Sequence, residues 1–246
     1  MQVVITMAGL GTRFRKAGYD MPKYEITVHG KSLFAWSMES LSGFYSDEND
    51  YYFIVRKEDN ARKFIENEWK KGANAPISQM QIIELYHMTD GQATTAMLAA
   101  KEWKKEDSLL IYNIDTYVEA GQMNARDIRG DGFIPCFSAE GDHWSFVAID
   151  DDGRAVEVRE KNRISDNCTL GAYYFSSCEL YERMYAEYYA SDDNSEAGEK
   201  YVAPLYNYMI EKGMEVRISL VDPDKVHVLG TPEELEVFRS LPGVNS

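Results

Sequence analysis

The chain has 246 residues, 44% of them hydrophobic, and a net charge of −15. That length fits one domain with a full core, and the acidic balance argues against a nucleic-acid binder, which needs a basic face against phosphate. No apolar run of about 18 residues marks a membrane span, and the N-terminus lacks the charged and apolar regions of a signal peptide.

In chain order, "QVVITMAG" (residues 2–9) is an apolar run closed by glycine, a buried strand feeding a turn. "LFAWSMESL" from Leu33 has helical spacing. "DYYFIVR" from Asp50 is a second strand, 60–71 a polar-faced helix, and "MQIIEL" from Met80 a third strand. "GQATTAMLAAKEW" from Gly91 predicts a helix after a glycine turn, and "SLLIYNID" from Ser108 a fourth strand. Strands alternating with helices point to a parallel sheet covered on both faces. "ASDDNSEAGE" from Ala190 is the linker-like stretch and reads as a mobile loop. Cys136, Cys168 and Cys178 are odd in number and share no metal-ligand spacing, which suggests reduced thiols and a cytoplasmic protein.

The turn after the first strand carries chemistry. Gly9 and Gly11 let backbone N–H groups approach phosphate oxygens with no Cβ in the way. Arg13, Arg15 and Lys16 follow, then the Pro22-Lys23 pair. No Gly-Lys-Ser/Thr follows at P-loop spacing, and the third glycine of the dinucleotide fingerprint is missing. Taken alone, the turn suits either phosphate binding or a plain tight turn.

"MAGLGTRF…PKYEITVHGKSLFAWSMESL" resembles the N-terminal signature of the nucleotidylyltransferases that join a nucleoside triphosphate to a sugar phosphate or a similar phosphorylated acceptor. The resemblance runs in order along nearly the whole chain. "TDGQATTA" from Thr89 matches the base-contacting turn, "LLIYNIDTYV" from Leu109 the strand ending in a metal-binding aspartate, and "VEVREKN" from Val156 the Glu-Lys pair that meets the acceptor. "NCTLGAYYF" from Asn167 matches the acceptor-side strand and "VLGTPEELEVF" from Val228 the C-terminal strand–turn–helix.

The resemblance implies an α/β fold, with a Rossmann-like, mixed and mostly parallel sheet, helices on both faces and a small acceptor-binding β subdomain. One domain is expected over 1–246, with a nucleotide-binding half (1–129), an acceptor-binding half with antiparallel strands (130–220) and a C-terminal strand–turn–helix (221–246). The chain stops soon after that helix, so no β-helix tail and no acyltransferase activity are expected. Mg²⁺ is the implied cofactor. The implied partners are a triphosphate and a phosphorylated acceptor, with no nucleic acid or membrane. In the implied reaction an acceptor phosphate oxygen attacks the α-phosphorus and pyrophosphate leaves, so positioning and charge neutralisation do the work.

Transferred to this chain, the triphosphate meets Ala8, Gly9, Leu10, Gly11, Thr12, Arg13, Lys23, Gly91, Gln92, Ala93 and Asn113. Arg13 clamps the leaving pyrophosphate, Lys23 neutralises the α-phosphoryl oxygens and Asp115 binds the metal. Gly91 gives close approach to the base, and Gln92 reads a pyrimidine edge. Arg15 and Lys16 are assigned to a solvated loop face. The acceptor meets Asp142, Trp144, Glu160, Lys161, Tyr173 and Glu199, although Trp144 reads equally well as core.

The chain departs from the family at Val228, where many members bring a second aspartate to the metal; Asp222, Asp224 and His227 are the nearby substitutes. The acceptor stays open between a sugar 1-phosphate and a small phosphorylated alcohol, amine or amino acid. A related glycosyltransferase would normally show D-x-D where this chain has "NIDT", and the missing aspartate motivates a non-catalytic nucleotide-binding module.

Overall fold

The computed structural model describes residues 1–72, 79–191, 194–195 and 198–242. Strand β1 (Gln2–Thr6), with Val3, Val4 and Ile5 fully buried, ends in a loop and the short helix α1 (Thr12–Lys16). The ribbon β2 (Thr27–Val28) and β3 (Lys31–Ser32) leads into α2 (Leu33–Glu39), started by Ser32 Oγ accepting from Ala35 N–H at 3.1 Å. Next come β4 (Asp50–Arg56), α3 (Arg62–Gly72), β5 (Met80–Leu85), α4 (Gln92–Met97) and β6 (Leu109–Asn113). They are followed by β7 (Thr116–Val118), β8 (Gly132–Ser138), β9 (Ser145–Ile149), β10 (Ala155–Glu160), β11 (Asn167–Thr169) and β12 (Ala172–Phe175). The chain closes with α5 (Cys178–Tyr188), α6 (Ala203–Glu211), β13 (Val216–Leu220), β14 (Val226–Val228) and α7 (Pro232–Ser240).

The largest difference from the sequence patterns is in one helix. The helix expected from Gly91 to Trp103 ends at Met97 and tightens into a 3-10 turn over Leu98–Lys101. Trp103 then drops into the core, 6% exposed, and its indole N–H donates to Glu182 at 2.9 Å. Burying this ring and satisfying its N–H outweighs continuing the helix.

Among the described residues, ten strands form one mixed sheet in the order β10-β9-β11-β8-β12-β6-β1-β4-β5, with β13 beside β8. β6, β1, β4 and β5 are parallel. The antiparallel strands expected within 130–220 are present and extend the same sheet from β12 outward. Successive residues of β1 face opposite sides. Val4 packs with Ala93, Ala96, Tyr181 and Tyr206 beneath α4–α6, while Val3 and Ile5 pack with Phe34, Met38, Ile65 and Trp69 beneath α2 and α3. A third cluster ties Phe14, Leu33, Trp36 and Tyr117 to Leu235 and Phe238 of α7.

β1 has β4 on one side and β6 on the other, with Thr6 level with Asn113. The strand order therefore reverses beside β1, and the loops leaving β1 and β6 border a crevice at the carboxyl edge, where sheets of this kind bind ligands. No helix among the described residues is long and apolar enough to cross a membrane. Of the expected mobile loop, 192, 193, 196 and 197 lie outside the described residues.

Candidate active site

Two adjoining cavities occupy that crevice, one of about 310 Å³ beside the β1 loop and one of about 250 Å³ beside β12; Gln92, Asn113 and Asp115 line both. A larger hollow of about 560 Å³ lies between α2 and α3, lined in part by Phe34, Met38 and Trp69, and holds none of the predicted site residues.

Ala8, Gly9 and Lys23 line the first cavity. A Cβ on Gly9 or Gly11 would meet nothing within 4 Å, so the loop presents bare backbone, and Gly11 takes the left-handed conformation at φ +61°. Leu10 is exposed, and its carbonyl accepts from Arg15 Nε at 3.3 Å, so Arg15 braces the turn. Thr12 opens α1 without lining either cavity, and Arg13 lines the second cavity.

Gln92 donates from Nε2 to Thr6 Oγ1 at 3.0 Å, anchored at the end of β1. Gly91 lines the first cavity, and a Cβ there would also fall 2.4 Å from the Lys200 carbonyl oxygen, so this glycine permits the close approach of the Lys200 backbone as well. Lys200 clips to this turn, its N–H donating to the Asp90 carbonyl at 2.6 Å and its carbonyl accepting from Ala93 N–H at 3.0 Å. Ala93, expected beside the nucleotide, is fully buried, with its own carbonyl accepting from Tyr181 Oη at 2.7 Å. It supports the turn from beneath and offers no group to a ligand.

Asp115 follows β6 at the centre of the cleft, and Lys23 donates to its Oδ1. Asn113 Oδ1 accepts from Asp115 N–H at 3.4 Å. The Asn113 amide has room because residue 171 is glycine: a Cβ there would sit 2.0 Å from Asn113 Nδ2.

The substitutes considered for a second metal ligand line neither of the cavities that Asp115 borders. β14 runs antiparallel to β7, with Val228 opposite Thr116 and Val226 opposite Val118, so the chain before Val228 leads away from Asp115. Asp222 and Asp224 lie beyond the start of β14, at the 3-10 turn Pro223–Lys225, and line neither cavity. Asp222 caps its own turn, accepting from Asp224 N–H at 3.0 Å. His227 stacks on Tyr117, ring centroids 5.4 Å apart, beside Glu119 at 3.5 Å, and burial holds its pKa below the usual 6.5.

On the acceptor side Glu160 ends β10 with its side chain 8% exposed and accepts from Ser145 Oγ. Burial raises its pKa above the usual 4.5. The buried Tyr173 shares a 3.1 Å hydrogen bond with Thr169, and burial pushes its phenol up to about 12. Trp144 combines both of its expected readings: its ring packs edge-on against Phe137, centroids 5.2 Å apart, and still lines the second cavity.

Two expected acceptor residues stand back from the lining. Asp142 is exposed, with Arg163 Nε 3.6 Å away, and the neighbouring His143 lines the cavity in its place. Lys161, at φ +50°, donates to Tyr201 Oη at 2.6 Å, and Tyr201 is the residue that lines the cavity. Tyr201 in turn donates to Glu199, which lines the first cavity.

Sequence reasoning missed Tyr201, Gly171 and Glu234. Tyr201 is two residues from Glu199 in "EKYVAPLYN", the nearest signal. Gly171 marks a chain reversal between two short strands. Glu234 lines the second cavity, yet "TPEE" reads simply as a helix start.

No protein-family model matches the chain, and neither does any curated protein. Solved structures do. A nucleoside-diphosphate-sugar pyrophosphorylase from Vibrio cholerae RC9 is 34% identical over 98% of this chain and 100% of that one, with a TM-score of 0.87. An inositol-1-phosphate CTP transferase from T. maritima superimposes with a TM-score of 0.75 at 15% identity, covering 100% and 98% of the two chains. A CTP:phosphocholine cytidylyltransferase from Streptococcus pneumoniae gives 0.70 at 15% identity, covering 97% of each. The last two share the fold, and the first is close enough in sequence to carry the family. Its match along the full length, on a cleft built as described, means that the chain belongs to the nucleoside-diphosphate-sugar pyrophosphorylase family and is a nucleotidyltransferase.

Proposed function

We propose that the protein joins a pyrimidine nucleoside triphosphate (CTP, UTP or dTTP) to a sugar 1-phosphate with release of pyrophosphate. The reaction takes place in the cytoplasm and supplies an activated precursor for surface polysaccharide. The observation that carries this reading is the continuity of the cleft. The bare loop at Gly9, with Lys23, opens onto the same space as Glu160, Tyr173 and Trp144, joined through Gln92, Asn113 and Asp115.

In this reading the N–H groups around Gly9 and Gly11 hold the triphosphate, and Arg13 clamps the departing pyrophosphate as a planar multi-donor cation. Lys23 exchanges Asp115 for the α-phosphoryl oxygens and neutralises charge as it grows there. Gln92 presents an amide to the pyrimidine edge. Glu160 accepts from an acceptor hydroxyl. Lys161 and Tyr201 steer the acceptor phosphate.

Among the described residues no group of three or more His, Cys, Asp or Glu side chains forms a metal cage. The site nonetheless suits Mg²⁺, which is held by one or two carboxylates with phosphates and water, because Asp115 presents a partly exposed carboxylate to both cavities. The ion, when bound, neutralises phosphate charge.

A second reading, a cytidylyltransferase for a small phosphorylated alcohol, amine or amino acid, draws on the grouping of Trp144, Tyr173 and Tyr201 with Glu160. Aromatic faces beside a carboxylate suit a cation. The experiment is a matrix of five nucleoside triphosphates against sugar 1-phosphates, phosphocholine and phosphorylated amino acids, read by pyrophosphate release. A purine triphosphate best by tenfold or more overturns the pyrimidine reading. Good turnover of glucose 1-phosphate, unchanged in Trp144→Phe, removes the second.

A further inference from the structure

We propose that Glu234 supplies a second carboxylate to the divalent cation held by Asp115, from a helix rather than from the strand position occupied by Val228; this rests on the metal-assisted reading above. Thr231 caps α7, its Oγ1 accepting from Glu234 N–H at 3.2 Å, which sets Glu234 in the first turn. The side chain lines the same cavity as Asp115 and Asn113. In a capping box the glutamate carboxylate would return to the cap residue's N–H. Glu234 Oε2 does not: it is buried with no hydrogen-bond partner. A buried carboxylate oxygen without a donor is costly, and a cation relieves that cost.

Gly230 lies beside both carboxylates. A Cβ on Gly230 would lie 3.4 Å from Glu234 Oε2 and 3.8 Å from Asp115 Oδ2, so both oxygens approach the same side of that residue. The other oxygen of Asp115, Oδ1, is the one that takes Lys23. The two oxygens free of donors are thus the two brought together. Carboxylates so disposed repel one another unless positive charge lies between them.

The arrangement is held by backbone and core. Leu229 N–H donates to the Asp115 carbonyl at 2.7 Å, pinning the turn that carries Gly230 to the residue it faces. Leu235 and Phe238 bury α7 in the third cluster. Val228 lines the same cavity without an oxygen to offer. The helix therefore brings to this space the carboxylate that the strand lacks.

The test is metal binding without turnover. Mn²⁺ is titrated into the protein, and the free ion is measured by its electron paramagnetic resonance signal for wild type, Glu234→Gln and Asp115→Asn. Glu234→Gln preserves side-chain size and the N–H that Thr231 caps, and a melting curve verifies its fold. Both variants are expected to bind Mn²⁺ at least about tenfold more weakly, a loss that even outer partners of a ligand can cause. Wild-type affinity in Glu234→Gln alongside weakened Asp115→Asn overturns the role of Glu234 and leaves the Asp115 site standing. Equal affinity in all three proteins, or no binding by wild type at millimolar Mn²⁺, overturns the proposal together with the metal site. Pyrophosphate release in the substrate matrix tests the transfer reaction separately.

Discussion

Lys23 bonds to the carboxylate of Asp115 across 92 positions of sequence. The pair joins the basic loop after β1 to the acid after β6, the two components that handling a triphosphate requires. Lys23→Ala is expected to lower kcat/KM by at least about two orders of magnitude, and Arg13→Ala by a similar factor, as loss of a charge-stabilising donor does. The Lys23–Asp115 pair is partly solvated, with side chains 14% and 38% exposed, so its removal should move the melting temperature by only about 2–4 °C. Wild-type rates in either folded variant would remove the assignment.

Gly171→Ala should fail through sterics. The new methyl would sit 2.0 Å from Asn113 Nδ2 on a backbone at φ +75°, which strains any other residue. A loss of about 2–4 kcal/mol in urea unfolding is expected, with reduced turnover because Asn113 braces the Asp115 N–H. An unchanged unfolding midpoint would show that the amide has somewhere else to go.

Glu160 gives stability a dependence on pH. Its pKa is raised by burial, so between the usual 4.5 and the raised value the folded chain keeps a proton that the unfolded chain has lost. The contribution is complete below 4.5 and disappears as pH rises through the folded pKa. Glu160→Gln has no proton to lose, so its stability relative to wild type should increase as pH rises through that window. Denaturant midpoints taken from acid to neutral pH decide it: parallel curves mean the carboxyl is solvated.

Phe238→Ala tests whether α7 is anchored as packing implies. Phe238 is 1% exposed, and its ring meets Trp36, Tyr117 and His227 at centroid distances of 5.5, 5.9 and 5.1 Å. Truncation should cost about 3–5 kcal/mol and weaken Mn²⁺ binding with it, since α7 carries Glu234. A large stability loss with unaltered Mn²⁺ affinity would uncouple the helix from the metal.

Much of the fold was legible locally. β4 and β5 fall on the runs from Asp50 and Met80, because apolar continuity bounded by polar turns is a property of the segment alone. The glycine loop and Asp115 were legible for a similar reason: a strand that ends in glycine or aspartate at the carboxyl edge carries its chemistry in its own neighbours. The burial of Ala93 and the contact of Gly91 with Lys200 were not legible for the opposite reason: that environment is made by Lys200, which no local pattern brings to them.

By itself, then, the sequence determined an alternation of strands and helices, an acidic chain with a local cluster of cations (Arg13, Arg15, Lys16 and Lys23) after its first strand, and the candidate metal carboxylate Asp115. These follow from periodicity, glycine geometry and charge, each of which acts over a few residues. Only the tertiary structure decided that Tyr201 rather than Lys161 lines the acceptor cavity, that Asp222 and Asp224 lead away from the site, and that Glu234 faces Asp115. Those outcomes depend on the register of β14 against β7 and on the packing of α7, and register and packing are settled between segments distant in sequence.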